Sequence, residues 1–278
     1  MFAINTFTVT NPKVIADFNT FYVCIDSVSY NNLFNDSFVK DTLFLCREEA
    51  TITDKASYEG KYFIGASANL EFLKPKQTGN LGDELGDWGI EFKTRTINSL
   101  EEMVAQAQQY QFEIDTVANR LYLDSNYSVP WYKTLQFQSA HNELAILEYQ
   151  KEYLSFLGFS DDEITQSMSY EDFNMKVSQG KKYPREFSKV NYLKLYVDEA
   201  LLLRLKQFAQ LNKFEISENK IVNEELTIEY VFKKNLPAFP IQELRVALMN
   251  SHPKKTIQVS QHLIIEVENN EAILKFKY

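Results

Sequence analysis

Three histidines are the side chains of this sequence best suited to bind a metal ion or to transfer a proton near neutral pH. They are His141, His252 and His262, and they lie too far apart to form an HxxxH or HExxH pair on one helix. His252 lies in the Pro-containing turn SHPKK and His262 begins a strand-like segment, which favours solvated or structural roles. The sequence also contains no GxSxG motif and no defensible Ser-His-Asp order, so it does not predict a serine hydrolase.

A loop at residues 77–87 contains three glycines and three acidic side chains. Gly-rich loops bind phosphate groups when their spacing fits GxGxxG or GxxxxGK, and this loop fits neither pattern. Its acidic side chains would also repel an anion. We therefore interpret the loop as a flexible connector.

The two cysteines, Cys24 and Cys46, lie in apolar, strand-like stretches without a neighbouring histidine. A catalytic thiolate needs a basic partner, and neither cysteine has one in the sequence. A disulfide is typical of secreted chains, whereas this sequence carries no secretion signal. We predict two buried free thiols.

The charge and hydropathy of the chain limit its partners. The formal net charge is -9 and the Lys pairs are isolated, which disfavours nucleic acid because phosphate binding needs clustered Lys and Arg. The apolar runs are too short to span a bilayer, and the amino terminus lacks the parts of a signal peptide. We expect a cytoplasmic protein that binds a small molecule, with neither nucleic acid nor membrane as a partner.

The elements that must position any site begin at residue 20. Residues 20–26 (TFYVCID) predict a buried strand, and residues 27–43 predict a helical crossover. Three further strand-like segments follow: residues 44–53, 58–66 and 69–73.

The same order repeats after residue 87. Residues 88–95 (WGIEFKTR) predict a strand, and Ser99 with Glu102 predicts a capping box for a helix that runs through Tyr110. Three more strand-like segments follow: residues 120–124, 134–138 and 145–150. Residues 19–150 therefore contain two consecutive βαβββ patterns, which form an internal repeat.

The remainder of the chain differs in its first part and then resembles the modules again. Residues 151–189 predict short helices and a linker, with a capping box at Ser160 and Glu163. A third strand–helix–strands pattern follows, with Asp198 as the helix N-cap. We predict an α+β fold of repeated βαβββ modules that form curled mixed sheets. Its parts are a paired domain at 1–155, a helical linker at 156–189 and a C-terminal module at 190–278.

Four short segments carry a resemblance to a known superfamily: NTFYVCID, NLEFL, WGIEF and AILEY. They resemble the vicinal-oxygen-chelate superfamily, which includes glyoxalase I, extradiol dioxygenases and bleomycin-resistance proteins. The longer runs FYVCIDSVSYNNLFNDSFVKDTL, YEGKYFIGASANLEFLKP and LEYQKEYL are similar to an uncharacterised glyoxalase-like bacterial family. The similarity covers residues 19–155 well and 190–278 more weakly. It implies the glyoxalase, bleomycin-resistance protein and dihydroxybiphenyl dioxygenase fold, in which paired modules curl into a cup.

The resemblance also implies where a metal site would lie. In the metal-dependent members, the first and last strands of each module supply one ligand each. A divalent ion needs such convergence of donors, with a position left open for substrate. The last-strand ligands fall on Glu71 and Glu148, which are carboxylates as the pattern requires.

The first-strand ligands of the family, usually histidines, have no counterpart in this chain. Those positions fall on Asn19 or Thr20 and on Trp88 or Gly89. None of these is a good ligand, so the resemblance implies a degraded metal site. His141 lies a few residues before Glu148 and supplies a nitrogen donor only if it turns into the cup. We expect no metal; if one binds, its ligands are Glu71, Glu148 and His141.

The two carboxylates have three open interpretations. Glu71 and Glu148 act as catalytic groups, one as a general base and one kept ionised, or as ligands of Mg²⁺ or Ca²⁺, or as polar residues that bond to Tyr or backbone groups. The side chains expected to contact a small molecule in the cup are Asn19, Thr20, Trp88, Trp131 and Tyr149.

Three functions follow in order of preference. The first is a protein that binds an apolar or aromatic small molecule in a cup whose metal site is degraded. The second is a divalent-metal-dependent lyase, isomerase or dioxygenase. The third is a structural or interaction module. No cofactor is predicted, a divalent metal stays open as a possibility, and a homodimer is the expected assembly if the chain associates.

Overall fold

The computed structural model describes residues 15–76, 80–124, 127–178 and 185–278. The prediction of no leader segment concerns the amino terminus, most of which lies outside these ranges. Part of the Gly-rich loop, residues 77–79, also lies outside them. Within the described part of the chain, no helix is long and apolar enough to cross a bilayer.

Cys24 and Cys46 are both free thiols, as predicted. Cys24 is buried and Cys46 is partly buried. Burial raises the pKa of each thiol to about 12. Neither cysteine is therefore ionised near neutral pH, which agrees with packing roles rather than nucleophilic ones.

Eight strands form the first sheet: β1 Ala16–Cys24, β2 Leu45–Ile52, β3 Ser57–Ile64, β4 Asn69–Leu73, β5 Trp88–Thr94, β6 Asp115–Tyr122, β7 Ser128–Gln138 and β8 Asn142–Tyr149. Their spatial order is β2-β3-β4-β1-β5-β8-β7-β6. In each half the first and last strands are parallel neighbours, and β1 and β5 join the halves as antiparallel neighbours. The two consecutive βαβββ modules are therefore confirmed.

Helices cover one face of this sheet. The first module crosses over through α1 (Ser27–Asn32) and a π-helical turn (Val39–Leu43), and the second through α2 (Ser99–Gln109). Alternate residues of a strand point to opposite faces, so apolar side chains such as Phe21 and Phe92 pack beneath the helices. We call this the helical face and the opposite face the cup face.

The cup forms because the sheet curls until its two edge strands meet. Thr53, which follows β2, forms an antiparallel bridge with Leu121 of β6. Beside it, the Asp54 N–H donates to the carbonyl oxygen of Arg120 at 3.3 Å. These contacts bring together the two outermost strands of the sheet and close its side.

Three short helices cover one end of the cup face: α3 Lys151–Phe156, α4 Asp161–Thr165 and α5 Tyr170–Val177. The predicted capping box of Ser160 and Glu163 starts α4. Tyr149 of β8 stacks on Phe173 of α5, with ring centroids 4.8 Å apart. Residues 151–177 therefore fill part of the cup with their own apolar cluster.

Six strands form the second sheet: β9 Phe187–Val197, β10 Glu215–Ile216, β11 Lys220–Val222, β12 Thr227–Phe232, β13 Ile241–Gln258 and β14 Leu263–Phe276. Their order is β10-β11-β12-β9-β13-β14. The first four, with α6 (Glu199–Leu211) between β9 and β10, form a third βαβββ module. As predicted, Asp198 caps α6 by accepting from the Leu201 N–H at 2.8 Å. β13 continues into β14 with no helix between them.

One hydrophobic core joins the two sheets. Phe208 of α6 contacts Phe92 of β5 and Phe137 of β7, with ring centroids 5.3 and 6.5 Å apart. The helical face of the first sheet is thus packed against the third module. The division at residues 155 and 189 stays a prediction, because this shared core does not test it.

Candidate functional site

A row of neighbouring residues crosses the middle of the cup face. Tyr22 of β1 lies beside Glu71 of β4 on one side and Gly89 of β5 on the other. Glu71 pairs in turn with Tyr62 of β3, and Gly89 with Glu143 of β8. The curled sheet thus brings side chains from five strands onto one line.

Tyr22 reaches across Gly89 to the next strand. Its hydroxyl donates to Oε2 of Glu143 at 2.9 Å, and Gln136 donates to the other oxygen of the same carboxylate. A Cβ added at Gly89 would overlap the Tyr22 ring, so only glycine lets the ring cross this strand. Burial, followed by the charge of Glu143, raises the pKa of Tyr22 well above its usual value.

Glu71 lies on the opposite side of Tyr22. The Tyr62 hydroxyl donates to its Oε1 at 2.7 Å, and Gly60 leaves room for the carboxylate, because a Cβ there would lie 2.8 Å from Oε1. Burial raises the pKa of Glu71 to about 7, although the bond from Tyr62 opposes the shift. Near neutral pH this carboxyl group therefore exchanges a proton readily.

Glu91 and Glu143 complete a group of three carboxylates. Glu91 lies two residues beyond Gly89 on β5, where its strand partner is Thr20. Burial, and then the charges of Glu143 and Glu71, raise the pKa of Glu91 well above its usual value. Burial also raises the pKa of Glu143.

A cavity of about 210 Å³ opens in front of these groups. Its walls contain three carboxylates and three tyrosines: Glu71, Glu91, Glu143, Tyr22, Tyr58 and Tyr132. Lys74, Lys76 and residues 80–83 also line it. A larger groove along the middle of β14 is lined mostly by polar side chains and has no comparable convergence of buried carboxylates.

The structure does not bring Glu148 together with Glu71. Side chains five positions apart on a strand point to opposite faces, so Glu143 faces the cup and Glu148 faces the helices. Glu148 Oε1 accepts from the Asn98 N–H at 2.9 Å, and its Oε2 accepts from the Leu100 N–H at 3.0 Å. This corrects the prediction that Glu148 is a second carboxylate of the cup: it caps the start of α2.

The same observation corrects the predicted capping box at Ser99 and Glu102. Helix α2 begins after Asn98, whose φ of 71° is left-handed and whose side chain makes no capping bond. The distant Glu148 supplies the acceptor that the local sequence was expected to supply. A carboxylate from a neighbouring strand therefore replaces the local motif.

Replacing Glu148 with alanine should lower the free energy of unfolding by about 1–3 kcal/mol, because two N–H groups at the start of α2, of which that of Leu100 is buried, lose their acceptor. Urea unfolding measures the loss. The matched control is Glu102→Ala, which removes an exposed carboxylate and should change the free energy by less than about 0.5 kcal/mol. If Glu102→Ala lowered the free energy of unfolding more than Glu148→Ala, the local capping box of Ser99 and Glu102 would be the main cap of α2.

His141 also lies away from the carboxylates. Its Nδ1 lies 2.9 Å from Oδ1 of Asp87, whose other oxygen accepts from the N–H groups of Gly82 and Glu84. The ring is largely exposed. His141 therefore anchors the loop before β5, and the proposed ligand set of Glu71, Glu148 and His141 is not assembled.

The expected ligand-contacting residues divide between the two faces. Thr20 lies on the cup face, where its hydroxyl lowers the pKa of Glu91. It also donates to Oδ1 of Asn19 at 2.9 Å, and Asn19 lies at an irregularity between β1 and β5. Trp88 is fully buried on the helical face against Phe21. Trp88 is therefore a core residue rather than part of the cup.

Trp131 and Tyr149 lie near the helices that cover the cup. The Trp131 ring contacts Tyr132 and Tyr153, with ring centroids 4.6 and 6.2 Å apart. Tyr149 is enclosed by Phe173 and Tyr153. Neither residue is among those that line the cavity, although Tyr132 is.

Sequence reasoning missed Glu91 and Glu143. Glu91 is the single acidic residue of the apolar segment WGIEF, and Glu143 is one of two acidic residues in NELAILEY, the other being Glu148. A carboxylate on the sheet face opposite the helix-packed residues is a signal for a polar cup. Counting alternation from Ile146, a helical-face residue, would have placed Glu143 and Glu148 on different faces.

A Glu71→Gln variant should change how stability depends on pH. A pKa of about 7 in the folded state exceeds the unfolded value, so the folded state holds an extra proton between about pH 4.5 and 7. The unfolding free energy of the parent therefore falls as pH rises through this range. The variant keeps an acceptor for Tyr62 and lacks this decrease, so above pH 7 it should be more stable by on the order of 2 kcal/mol.

Urea unfolding at about pH 4.5, 6 and 8 measures this difference. The matched control is Glu268→Gln, which alters an exposed carboxylate of β14 and should leave the pH profile unchanged. An identical pH profile for the parent and the Glu71 variant would show that Glu71 ionises normally.

The donors at the cup centre do not fit a resident transition-metal ion. The first-strand positions supply Thr20 and Gly89 and thus no nitrogen ligand, whereas these ions favour imidazole or thiolate. Glu71 and Glu143 already accept tyrosine hydroxyls. Among the residues that the structure describes, no three His, Cys, Asp or Glu side chains are arranged to hold a metal ion.

Comparison with known families gives one match that spans nearly the whole chain. The model of a family described as "Family of unknown function (DUF5829)" matches residues 18–276. No curated protein matches the sequence.

Several solved structures are similar at low identity. A xylose isomerase-like TIM barrel/4-hydroxyphenylpyruvate dioxygenase fusion protein is 10% identical, with a TM-score of 0.44; the match covers 80% of this chain but only 32% of the fusion protein. The 2,3-dioxygenase LapB from Pseudomonas sp. KL28 is 10% identical over 92% of this chain and 90% of its own, with a TM-score of 0.45. The Mn(II)-bound glyoxalase from Novosphingobium aromaticivorans is 8% identical over 78% and 62%, with a TM-score of 0.37.

Proposed function

We propose that this chain, which belongs to the DUF5829 family, binds a small organic cation in the cavity of its first sheet. The observation that carries the proposal is the convergence of three carboxylates on one cavity. Within the described residues, none of the three lies within ion-pair distance of a Lys or Arg. The proposal keeps the predicted small-molecule role and changes the expected ligand from an apolar or aromatic molecule to an organic cation.

The size of the cavity limits the ligand. Pockets for drug-sized molecules are typically about 300–1,000 Å³, so a volume of about 210 Å³ suits a small metabolite with one ring or a short chain. The tyrosines Tyr22, Tyr58 and Tyr132 supply aromatic walls. Ring faces attract ammonium groups, which adds to the attraction of the carboxylates.

Acidic side chains of the second sheet, in contrast, form ion pairs with Lys or Arg. Glu229 pairs with Lys194 at 2.9 Å, and Glu243 pairs with Arg245 at 2.6 Å. By contrast, the partners that the described residues give to Glu71, Glu91 and Glu143 are tyrosine, threonine and amide groups. Partly buried carboxylates without a cationic partner take up protons or bind a cation, and the cavity leaves room for the second outcome.

A series of probes with similar size and different charge tests the proposal. Phenethylamine, 2-phenylethanol and phenylacetate are added separately, and binding is followed by calorimetry and by the melting temperature. We expect the amine to bind and to stabilise the protein, the alcohol to bind more weakly, and the acid not to bind. Binding of the acid in preference to the amine would reverse the proposed ligand charge.

Two variants locate the binding. Glu91→Gln and Glu143→Gln should each weaken amine binding by about tenfold, because each removes a carboxyl group that can ionise against the bound amine. The matched control Glu229→Gln changes a paired carboxylate of the second sheet and should leave the affinity unchanged. Equal effects of all three substitutions would show that the amine binds by long-range attraction alone.

Amine binding should tighten between about pH 6 and pH 8, because the amine displaces the proton of Glu71, whose pKa burial raises to about 7. The titratable and charged side chains that line the cavity are Tyr22, Tyr58, Glu59, Glu71, Lys74, Lys76, Asp83, Glu91, Tyr132 and Glu143. An affinity independent of pH would mean that the carboxylates are ionised before the amine arrives.

The second candidate, a divalent-metal-dependent enzyme, makes a different prediction. It requires that Mn²⁺, Fe²⁺, Ni²⁺ or Zn²⁺ raise the melting temperature and that Glu71→Gln abolish the effect. Our proposal expects no such shift in melting temperature, since the donor set lacks nitrogen ligands.

We keep the cytoplasm as the proposed compartment, which the two free thiols support. A homodimer is kept as the proposed assembly.

A further inference from the structure

We infer that the cavity of the first sheet takes a small zwitterion, a molecule with an ammonium group at one end and an anionic group at the other. This ligand class rests on the proposed function, because the carboxylates bind the ammonium group in both cases. The added contact comes from Lys74 and Lys76, which line the same cavity. A ligand with both charges would therefore lie in one direction, with its anionic end toward the lysines.

The lysines stand apart from the carboxylates along the first sheet. Glu71 belongs to β4, which ends at Leu73, and Lys74 is the next residue of the chain. Three residues of a strand span roughly 10 Å, and this distance separates the backbone of Lys74 from that of Glu71. A ligand that contacts both must therefore carry its two charges at opposite ends.

Backbone bonds hold Lys76 in a defined place beside the cavity. Its N–H donates to the carbonyl oxygen of Asp83 at 2.8 Å. The loop around Asp83 is fixed in turn, because the N–H groups of Gly82 and Glu84 donate to Oδ2 of the buried Asp87 at 2.9 and 3.0 Å. Lys76 thus belongs to a wall whose backbone is already in place before a ligand binds.

Neither lysine forms an ion pair within the described part of the chain. The lysine ion pairs found there involve other residues, such as Lys194 with Glu229 at 2.9 Å. An ammonium group that is not paired with a carboxylate can donate charge-assisted hydrogen bonds to an anion. The acidic residues Glu59 and Asp83 also line the cavity, so the side that carries the lysines is close to neutral.

The charge of the lining therefore changes from one side of the cavity to the other. Glu71, Glu91 and Glu143 give the inner side acidic groups alone, whereas the outer side adds both lysines. A simple amine uses only the inner side. Lysine ammonium groups bind carboxylate and phosphate as compact point charges, so either anion suits the outer side.

Three amines of similar size test for the second charge. They are 4-(2-aminoethyl)benzoate, the phosphate ester of tyramine and the neutral 4-(2-aminoethyl)benzamide, and calorimetry at physiological salt measures their affinities. We expect at least one anionic probe to bind about fivefold or more tighter than the benzamide. The tighter of the two anionic probes identifies the anion as carboxylate or phosphate.

A double variant locates the anionic end of the ligand. Lys74→Gln/Lys76→Gln should remove the preference for the anionic probes over the benzamide. Phenethylamine should bind this variant more tightly than the parent, because two positive charges leave the cavity wall. The matched control is Lys55→Gln, since Lys55 pairs with Asp54 at 3.5 Å and does not line the cavity. The control should keep the preference.

The opposite responses of the two kinds of probe support the zwitterion. Equal binding of the anionic probes and the benzamide to the parent, with phenethylamine still bound, overturns the zwitterion and leaves the cation proposal intact. A preference that Lys55→Gln also removes overturns the zwitterion, because the anion would then respond to distant charge. If neither phenethylamine nor any of the three amines binds, both the zwitterion and the proposed function are wrong.

Discussion

Replacing Asp17 with alanine should lower the free energy of unfolding by about 3 kcal/mol, because it removes one partner of a buried ion pair. Asp17 is buried on β1, and its Oδ1 accepts from Nε and Nη2 of Arg95 at 2.8 and 2.6 Å. Its Oδ2 accepts from the Tyr170 N–H at 2.8 Å. Three donors lose their acceptor in the variant, and Glu225, 4.0 Å from Arg95, replaces only part of the pairing.

Urea unfolding measures the loss of stability, and hydrogen exchange at residues 170–177 measures its location. Exchange should accelerate at α5, since the Tyr170 N–H bond connects this helix to the cup. The matched control is Lys151→Ala, which removes an exposed ion pair with Asp161 and should change stability by less than about 1 kcal/mol. Similar losses in both variants would show that Asp17 contributes no more than a surface charge.

The modules could be predicted because their signals are local. Alternating and continuous apolar segments identify strands, and side chains such as Ser160, Glu163 and Asp198 identify helix starts through contacts within one turn. Two series of such segments, each in the order strand, helix and three strands, identified the internal repeat. The limits of the strands followed less well: β7 begins at Ser128, well before the predicted residue 134, because Pro130 interrupts the strand-like pattern of its first half.

The cup residues were harder to predict because they depend on which face of a strand is covered. The predicted strand, residues 145–150, contained Glu148 and not Glu143, whereas β8 begins at Asn142 and contains both carboxylates. The direction of alternation decides between them, and only the packing of Ile146 beneath the helices fixes that direction. A resemblance that named the last strand therefore identified the correct strand and the wrong carboxylate.

Contacts between distant segments explain the remaining differences. The start of α2 is capped by a carboxylate from β8, which no pattern within residues 95–110 reveals. The covering of the cup by residues 151–177 depends on bonds such as Asp17 to Tyr170. These residues read as a linker because their apolar spacing is short and broken by polar residues. Tertiary packing, rather than local propensity, fixes their place.

Gly89→Ala should be the most informative single substitution in the cup. The added Cβ overlaps the Tyr22 ring, so the ring must leave its place over β5 and lose its bond to Glu143. We expect the free energy of unfolding to fall by about 1–3 kcal/mol, as in overpacked cores. Amine binding should weaken as well, because the displaced ring enters the cavity that Tyr22 now borders.

A double-variant cycle separates the clash from other effects of the methyl group. In a Tyr22→Ala background the same Gly89→Ala substitution should lower stability by less than about 0.5 kcal/mol, since no ring remains to be displaced. Gly60→Ala is the matched control, because its Cβ would meet only the flexible Glu71 carboxylate and Tyr62 ring edge. Equal losses from Gly89→Ala with and without the Tyr22 ring would mean that the strand backbone, rather than the ring, requires glycine. If the loss instead depends on the ring, the cup centre is built around Tyr22, and glycine at position 89 is the condition for its place among the carboxylates.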